Sequence, residues 1–270
     1  EQGVFWVFRC HDYPFRLNPC DAGYPSPHTM PLKEELRAQG NWLFRHRSHL
    51  PLLILLLLPV AICELDAGRY LFRWLPWWQF LSLGVSLLGL LVRAVAVAGA
   101  ARGTSGRNTR GQKADNLNTT GLYACVRHPL YVGNYLLFLG VTLLTGVWWF
   151  VIVGSLLYWL YYERIMYAEE EFLRDKYGDS FVQWASRTPA FLPALGRWTA
   201  PPAVSVKRVL KNEYTSVLGL AASFAAVDTL IVSLTTEQFA YSLFAAAVLG
   251  VGAVQYVVLR VLRKYTRVLH

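Results

Sequence analysis

Six apolar runs, each about 17 to 24 residues long, divide this sequence, and runs of that length suit helices that cross a lipid bilayer. Hydrophobic residues make up 54% of the 270-residue chain and charged residues only 16%, which lies outside the range of ordinary soluble domains. The sequence therefore predicts an all-α fold, a polytopic transmembrane helical bundle of about six spans. The predicted spans are residues 49–65, 77–100, 130–146, 147–163, 215–234 and 238–259.

Positive charge is concentrated in alternate connections between these spans. Lys and Arg are retained on the cytoplasmic side of polytopic proteins, and six spans place all four basic segments on one face. We therefore expect an integral membrane protein with both termini cytoplasmic. Arg69 and Arg73, in the first outer loop, run against this pattern. The four basic segments are residues 37–47, 102–127, 164–211 and 260–267.

The chain divides by pattern into four parts. Residues 1–29 lack the features of a signal peptide, and we expect them to be a flexible or non-native extension before Met30. Residues 30–100 hold an amphipathic helix, expected on the membrane surface, and the first two spans. Residues 101–200 carry the motifs described next, and residues 201–270 form a two-span C-terminal extension. No Cys or His pair has zinc-ligand spacing, so we predict no metal site, and we also predict no nucleic-acid partner.

The first motif, "GLYACVRHPLYVGN", begins at Gly121 and leads into the third span. Pro129 suits the first turn of a helix, where its missing N–H costs nothing. Arg127 and His128 then lie at a helix N-terminus, where backbone N–H groups favour an anion such as a carboxylate. The alternative is that Arg127 reaches lipid headgroups and His128 is a polar residue of the interface.

The second motif, "EEEFLRDKYGDSFVQWASRTPAFLP", begins at Glu169, where a helix leaves the fourth span. Anionic lipid repels a carboxylate cluster at the membrane surface, so the cluster needs a local partner. One such arrangement is a solvated helix face on which the cluster pairs with Arg164, Arg174 and Lys176. A tight turn near Gly146 would also join spans three and four into a hairpin, which would make His128 and Glu169 neighbours.

The two motifs together resemble the isoprenylcysteine carboxyl methyltransferase and phospholipid methyltransferase superfamily of integral membrane enzymes, over residues 101–193. The resemblance implies a cytoplasmic-face pocket for S-adenosyl-L-methionine. Within the second motif, Glu169 and Glu170 match the family pattern, as do Leu173 and Tyr177-Gly178, whereas Glu171 lies outside it. The resemblance implies that the catalytic residues are Arg127, His128 and Glu170. It implies that the cofactor-binding residues are Tyr123, His128, Pro129, Tyr131, Gly133, Glu169 and Glu170.

A methyltransferase in a membrane is expected to act on a lipid or lipidated acceptor. We predict substrate-binding roles for Arg93 in the second span, for Arg107 in the basic loop and for Arg164 after the fourth span. Intramembrane Arg is rare and often functional, although near the end of a span it can also reach headgroups. The abundance of Arg favours a carboxylate or phosphate oxygen over an amine. Such an acceptor is already ionised and needs no general base.

Several alternatives remain at this stage. A phospholipid N-methyltransferase shares the motifs, and NADPH-dependent membrane sterol reductases resemble this region too, although Pro129 and the Glu pair depart from their pattern. A scaffold or transporter would spread polar residues through several spans at midplane depth. The C-terminal extension completes the bundle or supports a homodimer. Asp228, in the fifth span, is a packing residue or part of a headgroup site, and packing is favoured.

Overall fold

The computed structural model describes residues 31–47, 50–63, 76–101, 112 and 114–265. The chain divides into two units, residues 1–35 and 36–270, and residues 31–35 are the described part of the first. The described residues are helical, with a single isolated β-bridge between Gly121 and Thr199, which confirms the all-α prediction. The α-helices are α1 (Leu32–His46), α2 (Leu58–Cys63), α3 (Pro76–Gly99), α4 (Leu122–Cys125), α5 (Pro129–Leu143), α6 (Trp148–Tyr177), α7 (Asp179–Ala185), α8 (Val206–Thr236) and α9 (Leu243–Tyr265); Leu50–Leu57 and Leu195–Arg197 are 3₁₀-helices.

Three described helices are long and apolar enough to cross a membrane, namely Trp77–Gly99, Val206–Leu234 and Leu243–Tyr265. They overlap the predicted second, fifth and sixth spans, although the last of these helices begins at Leu243 and ends at Tyr265, about five residues later at each end than predicted. The predicted third span corresponds to α5, a shorter apolar helix of 15 residues. The predicted fourth span is the first half of α6, a 30-residue helix whose second half is charged. Where the first span was predicted, the described residues form a 3₁₀-helix followed by the short α2, and the ends of that range lie outside the described residues. The total of six spans and their sidedness stay predictions.

Helices α3 and α5 approach each other at glycines. A Cβ added to Gly89 would lie 2.6 Å from the carbonyl oxygen of Gly133, and one added to Gly133 would lie 2.9 Å from the carbonyl oxygen of Gly89. The Ser86 hydroxyl donates to the Leu137 carbonyl at 3.0 Å. Small residues let helix backbones approach closely inside a membrane. This contact fixes which residues of α3 face α5.

Helices α5 and α6 form the predicted hairpin. Gly146 has φ 72°, a left-handed conformation that glycine adopts readily, and the chain reverses there. The Tyr158 hydroxyl of α6 donates to the Tyr131 carbonyl of α5 at 2.9 Å, and the Tyr131 and Tyr162 ring centroids are 5.0 Å apart. The hairpin therefore returns the C-terminal half of α6 to the N-terminus of α5.

The C-terminal part of α1 lies against α6. A Cβ on Gly40 would collide with the Arg164 carbonyl and the Ala168 side chain. The Arg164 Nε donates to Gln39 at 3.0 Å, and the Tyr161 hydroxyl donates to the Leu43 carbonyl at 3.0 Å. The sequence predicted that this helix lies on the membrane surface. In the structure, its small and polar residues pack against α6.

The C-terminal extension joins the buried core. Phe224 and Ile231 of α8 are fully buried in a cluster that includes Leu144, Val147 and Phe150 of the hairpin. Helices α8 and α9 meet where a Cβ on Gly252 would touch Ala221. The extension therefore completes the helix packing around the hairpin.

Candidate active site

A cavity of about 340 Å³ lies between α3, α5, the second half of α6 and the end of α1. Its walls combine aromatic rings with carboxylates, guanidinium groups and amides, which is the mixture expected of a ligand site. It lies where the two sequence motifs converge. The lining residues are Phe44, Arg47, Arg93, Gln112, Ala114, Asn116, Leu117, Asn118, Tyr123, Arg127, His128, Pro129, Leu130, Tyr131, Asn134, Tyr162, Glu169, Glu170, Phe172, Leu173, Phe181 and Trp184.

Main-chain hydrogen bonds hold the start of α5 in place. His128 is the N-cap of α5 and Pro129 is its first residue, as predicted. The loop after α7 runs alongside, and the Arg127 N–H donates to the Pro189 carbonyl at 2.8 Å. The His128 N–H donates to the Ala190 carbonyl at 3.2 Å. Since these bonds use backbone atoms, the side chains of Arg127 and His128 remain available to the cavity.

Four side chains form a charged network at this helix end, which we call the cavity cluster: Arg127, His128, Glu169 and Glu170. The Arg127 Nη1 donates to Glu170 at 2.8 Å, and the His128 Nε2 lies 2.9 Å from the other oxygen of that carboxylate. The His128 Nδ1 lies 3.7 Å from Glu169, which also accepts a bond from the Tyr131 hydroxyl at 2.7 Å. The two carboxylates thus lie on either side of one imidazole.

The surroundings of His128 favour its protonated form. Burial lowers its pKa, but hydrogen bonds and negative charge from Glu169 and Glu170 outweigh burial, so the pKa lies above 6.5. Burial, with the charge of Glu169 as a smaller cause, raises the pKa of nearby Tyr123, which keeps that phenol protonated. In the cavity cluster, the two carboxylates therefore face the Arg127 guanidinium and an imidazole whose protonated form they stabilise.

One donor in the cavity cluster has no partner within the part of the chain that the structure describes. The Arg127 Nε is buried and makes no hydrogen bond there. A buried N–H that lacks a partner costs free energy until a partner arrives. Arg127 lines the cavity, but its Nε exposes less than 1 Å² of surface, so a ligand would reach that donor only after the side chain shifts.

Most predicted site residues line the cavity, two do not, and one lies outside the described residues. Gly133 faces α3, where an added Cβ would lie 2.5 Å from the Arg93 Cγ. Arg164 is not among the lining residues, because its guanidinium donates to Gln39 and to the Leu160 carbonyl. Arg107 lies outside the described residues. Those that line the cavity are Arg93, Tyr123, Arg127, His128, Pro129, Tyr131, Glu169 and Glu170.

Arg93 lines the cavity, but a carboxylate of the C-terminal extension neutralises it. Its Nε and Nη2 donate to the two oxygens of Glu213 at 2.9 Å each, and Nη1 donates to Asn134. Glu171, outside the family pattern, is buried and lies 3.6 Å from Arg174. The solvated-face arrangement therefore fits none of the three carboxylates: Glu171 pairs with Arg174 but is buried, and Glu169 and Glu170 line the cavity.

Sequence reasoning missed several residues of the site. Phe44 of α1 and Arg47, the residue after that helix, reach the cavity, and Phe181 and Trp184 reach it from α7. Asn134 lies inside the first motif. A polar residue in an otherwise apolar helix indicates a polar partner on a neighbouring helix, and this signal could have identified it. Glu171 and Arg174 do not line the cavity, and no group of three metal-ligating side chains occurs among the described residues.

Comparison with known proteins gives three relevant relatives. The phospholipid methyltransferase family model matches residues 78–180. Protein-S-isoprenylcysteine O-methyltransferase of Schizosaccharomyces pombe is 32% identical over 119 residues, 44% of this chain and 50% of the relative. Protein-S-isoprenylcysteine O-methyltransferase B of Arabidopsis thaliana is 30% identical over 120 residues, 43% of this chain and 60% of the relative. The cobalt-zinc-cadmium resistance protein CzcN of Cupriavidus metallidurans is 32% identical over 197 residues, 71% of this chain and 86% of the relative.

The match covers most of CzcN but only part of the two isoprenylcysteine methyltransferases. The chain spans about half the length of the S. pombe enzyme. No solved structure matches the chain. The family match includes α5 and α6, which carry the cavity cluster. Together with the apolar helices, these findings show that the chain belongs to the isoprenylcysteine carboxyl methyltransferase and phospholipid methyltransferase superfamily of integral membrane methyltransferases.

Proposed function

We propose that this protein transfers a methyl group from S-adenosylmethionine to a carboxylate or phosphate oxygen of a lipid or lipidated acceptor. The observation that carries the proposal is that Arg127, with its buried unpartnered Nε, lines the cavity beside the two carboxylates Glu169 and Glu170. Arg127 can meet an anion there, and Glu169 and Glu170 can meet a cation. The two relatives that methylate isoprenylcysteine support an oxygen acceptor, whereas the family model also includes phospholipid methyltransferases.

The cavity fits the cofactor in charge and in surface. S-adenosylmethionine carries an amino group, a sulfonium, a carboxylate, ribose hydroxyls and a flat base. The Arg127 Nε and the N-terminus of α5 would hold the carboxylate, and Glu169 and Glu170 would balance the cation or accept from hydroxyls. Phe181 and Trp184 supply apolar walls for the base.

For this reaction the main task of the protein is to position the two reacting groups. When bound, the cofactor supplies an electrophilic methyl group, which an acceptor oxygen takes with its lone pair while the sulfur keeps the electrons of the broken bond. The acceptor is already anionic, so no proton has to move. The protein therefore needs to align the two groups and exclude water, and such alignment alone contributes several orders of magnitude in rate. His128, hydrogen-bonded to Glu170 and 3.7 Å from Glu169, holds the two carboxylates in place and is not needed as a base.

We also propose that the cavity opens toward the cytoplasm and that both termini lie there. The support is the sequence pattern of basic connections, together with the position of the cavity cluster at the charged ends of α5 and α6. An acceptor with an apolar tail would then enter from the bilayer with its headgroup at that surface.

The test is transfer of labelled methyl from S-adenosylmethionine by the purified protein. Three acceptors separate the chemistries: S-farnesylated N-acetylcysteine for a carboxylate, phosphatidic acid vesicles for a phosphate, and phosphatidylethanolamine vesicles for an amine. The inactive comparison is a His128→Ala, Glu170→Ala double variant. The matched active control is Gly219→Ala, because an added Cβ at that position meets no atom within 4 Å.

We expect label in the carboxylate or phosphate acceptor from the wild type and the control, and none from the double variant. Mild base releases a carboxyl methyl ester as methanol and leaves an N-methyl amine intact. Label only in phosphatidylethanolamine would replace the proposal with N-methylation. Binding of NADPH without binding of S-adenosylmethionine would replace it with the reductase class.

A further inference from the structure

A chain of three polar side chains connects the C-terminal extension to the cavity wall. Glu213 on α8 is 7% exposed and binds the Arg93 guanidinium through both carboxylate oxygens at 2.9 Å. Arg93 on α3 in turn donates to the Asn134 Oδ1 on α5. Arg93 and Asn134 line the cavity, and Glu213 stands behind them. The family match ends at residue 180, so Glu213 lies beyond it.

Close packing of α3 on α5 makes this chain of contacts possible. The Arg93 stem passes over Gly133, where an added Cβ would lie 2.5 Å from the Arg93 Cγ. The absence of a side chain at Gly133 lets the guanidinium reach Asn134, the next residue along α5. The two-point bond to Glu213 fixes the plane of the guanidinium, because both groups are planar and meet side by side.

The contact with Arg93 also fixes which way the Asn134 amide points. Arginine can only donate hydrogen bonds, so the oxygen of Asn134 must face it and the NH₂ group must face elsewhere. No described residue accepts from that NH₂ group. Since Asn134 lines the cavity, its N–H donors are available to a ligand. Six residues of helix, about 9 Å along the axis, separate Asn134 from His128, so the donor lies on the apolar side of the cavity cluster.

We infer that Asn134 donates a hydrogen bond to the acceptor, and that Glu213 orients it through Arg93. The inference rests on the proposed function and names the residue that recognises the acceptor anion. Because Glu213 balances the charge of Arg93, the wall offers an oriented neutral donor instead of a bare cation. Such a donor binds one oxygen of a carboxylate or phosphate and leaves another free to attack. Glu213 is a positioning residue, and the C-terminal extension takes part in acceptor recognition.

The test measures steady-state methyl transfer to S-farnesylated N-acetylcysteine and to phosphatidic acid vesicles, with cofactor binding measured separately by calorimetry. We expect Asn134→Ala to raise the acceptor KM about tenfold, the loss of about one hydrogen bond to a charged group, while the cofactor Kd stays within about twofold. Asn134→Asp, with the same shape but a carboxylate, should lower acceptor kcat/KM further. Retained cofactor binding shows that each variant is folded.

The role of Glu213 is tested by a double-mutant cycle. Glu213→Gln should lower acceptor kcat/KM about fivefold when Asn134 is present and have no further effect in Asn134→Ala, because coupled residues act as a unit. Gly219→Ala, also on α8, serves as the unaffected control. Equal losses in both backgrounds would make Glu213 merely structural.

The outcomes separate the two ideas. If the wild type methylates neither oxygen acceptor, the proposed function fails and this inference fails with it. If the wild type methylates one of them and Asn134→Ala leaves its KM unchanged, only this inference is overturned. A matching rise in the cofactor Kd would place Asn134 at the cofactor and would overturn it as well.

Discussion

The cavity cluster and a second cluster of polar side chains both lie among the helices of this protein, and they differ in what their members bind. The cavity cluster, Arg127, His128, Glu169 and Glu170, borders an open volume and keeps one buried donor without a partner in the described chain. The second cluster joins Asp228 of α8 to Ser242 and Gln79. Asp228 is fully buried, and none of these three residues lines the cavity.

The contrast shows what distinguishes a site from a packing contact. Both clusters place a carboxylate between packed helices, and both therefore attract attention in a membrane protein. Asp228 accepts from a hydroxyl at the start of α9 and from the Gln79 amide of α3, so it joins three helices. The cavity cluster also joins two helices, but it retains hydrogen-bonding capacity toward a cavity. A charged cluster that borders a cavity and also keeps an unpartnered donor is the stronger functional signal.

The comparison predicts its largest difference at Glu170. Glu170→Gln keeps the shape of the side chain but removes the charge that holds both Arg127 and His128. Methyl transfer should fall about 100-fold or more, since small displacements at a reacting centre carry costs of that size. Initial rates at saturating cofactor measure this. If Glu170→Gln transfers methyl at a rate within a few-fold of wild type, the cavity cluster is no more functional than the Asp228 cluster.

A smaller effect is expected when Arg127 keeps its charge and loses its Nε. Arg127→Lys can still pair with Glu170 but cannot supply the donor that lacks a partner. The cofactor Kd should rise about tenfold, the equivalent of about 1.4 kcal/mol, because one charge-assisted hydrogen bond is lost. Calorimetric titration with S-adenosylmethionine gives the value. An unchanged Kd would mean that the Nε does not meet the cofactor.

At the second cluster, stability should change and activity should not. Asp228→Asn weakens hydrogen bonds that join α8 to α9 and α3, at a cost of about 1 kcal/mol, or about 2 to 4 °C in Tm for a chain of this size. About 22 Å of helix separate Asp228 from Glu213, so methyl transfer should stay within about twofold of wild type. Thermal unfolding and initial rates are measured on the same preparation. A large loss of activity at unchanged Tm would make Asp228 functional.

The smallest predicted effect is a dependence of stability on pH at His128. Its pKa is raised in the folded protein, so its contribution is fully present below the unfolded pKa of about 6.5 and is lost as pH rises through the folded pKa. The Tm advantage of wild type over His128→Gln should therefore be largest below about pH 6.5 and shrink as the pH is raised above that value. A constant difference across that range would show that the cavity cluster does not favour the imidazolium.

Much of this arrangement could be predicted from local sequence rules. Pro129 starts α5 because its ring is preorganised for a first helical turn, and the hairpin turn at Gly146 returns α6 to that point. With one end of the hairpin fixed, Glu169 and Glu170 have to approach His128. Those steps depend only on spacing along the chain.

The remaining features depend on how separate helices rotate against one another. Nothing in the spacing of Arg93 and Glu213, 120 residues apart, indicates that α3 and α8 turn those side chains together. Phe44 reaches the cavity only because Gly40 lets α1 lie against α6. Residues 50–63 form two short helical segments where one long span was expected, although their apolar composition suits either arrangement.

The loop after α7 has a consequence for how the sequence can vary. It holds the start of α5 through the carbonyls of Pro189 and Ala190, and Leu192 and Leu195, a few residues on, are 80% and 72% exposed. Main-chain bonds do not depend on side-chain identity, but they do depend on the number of residues between the anchors. Substitutions at Leu192 and Leu195 should be tolerated, while insertion or deletion of one residue between them and α7 would displace the imidazole. The length of this loop is therefore constrained, whereas the identity of its exposed side chains is not.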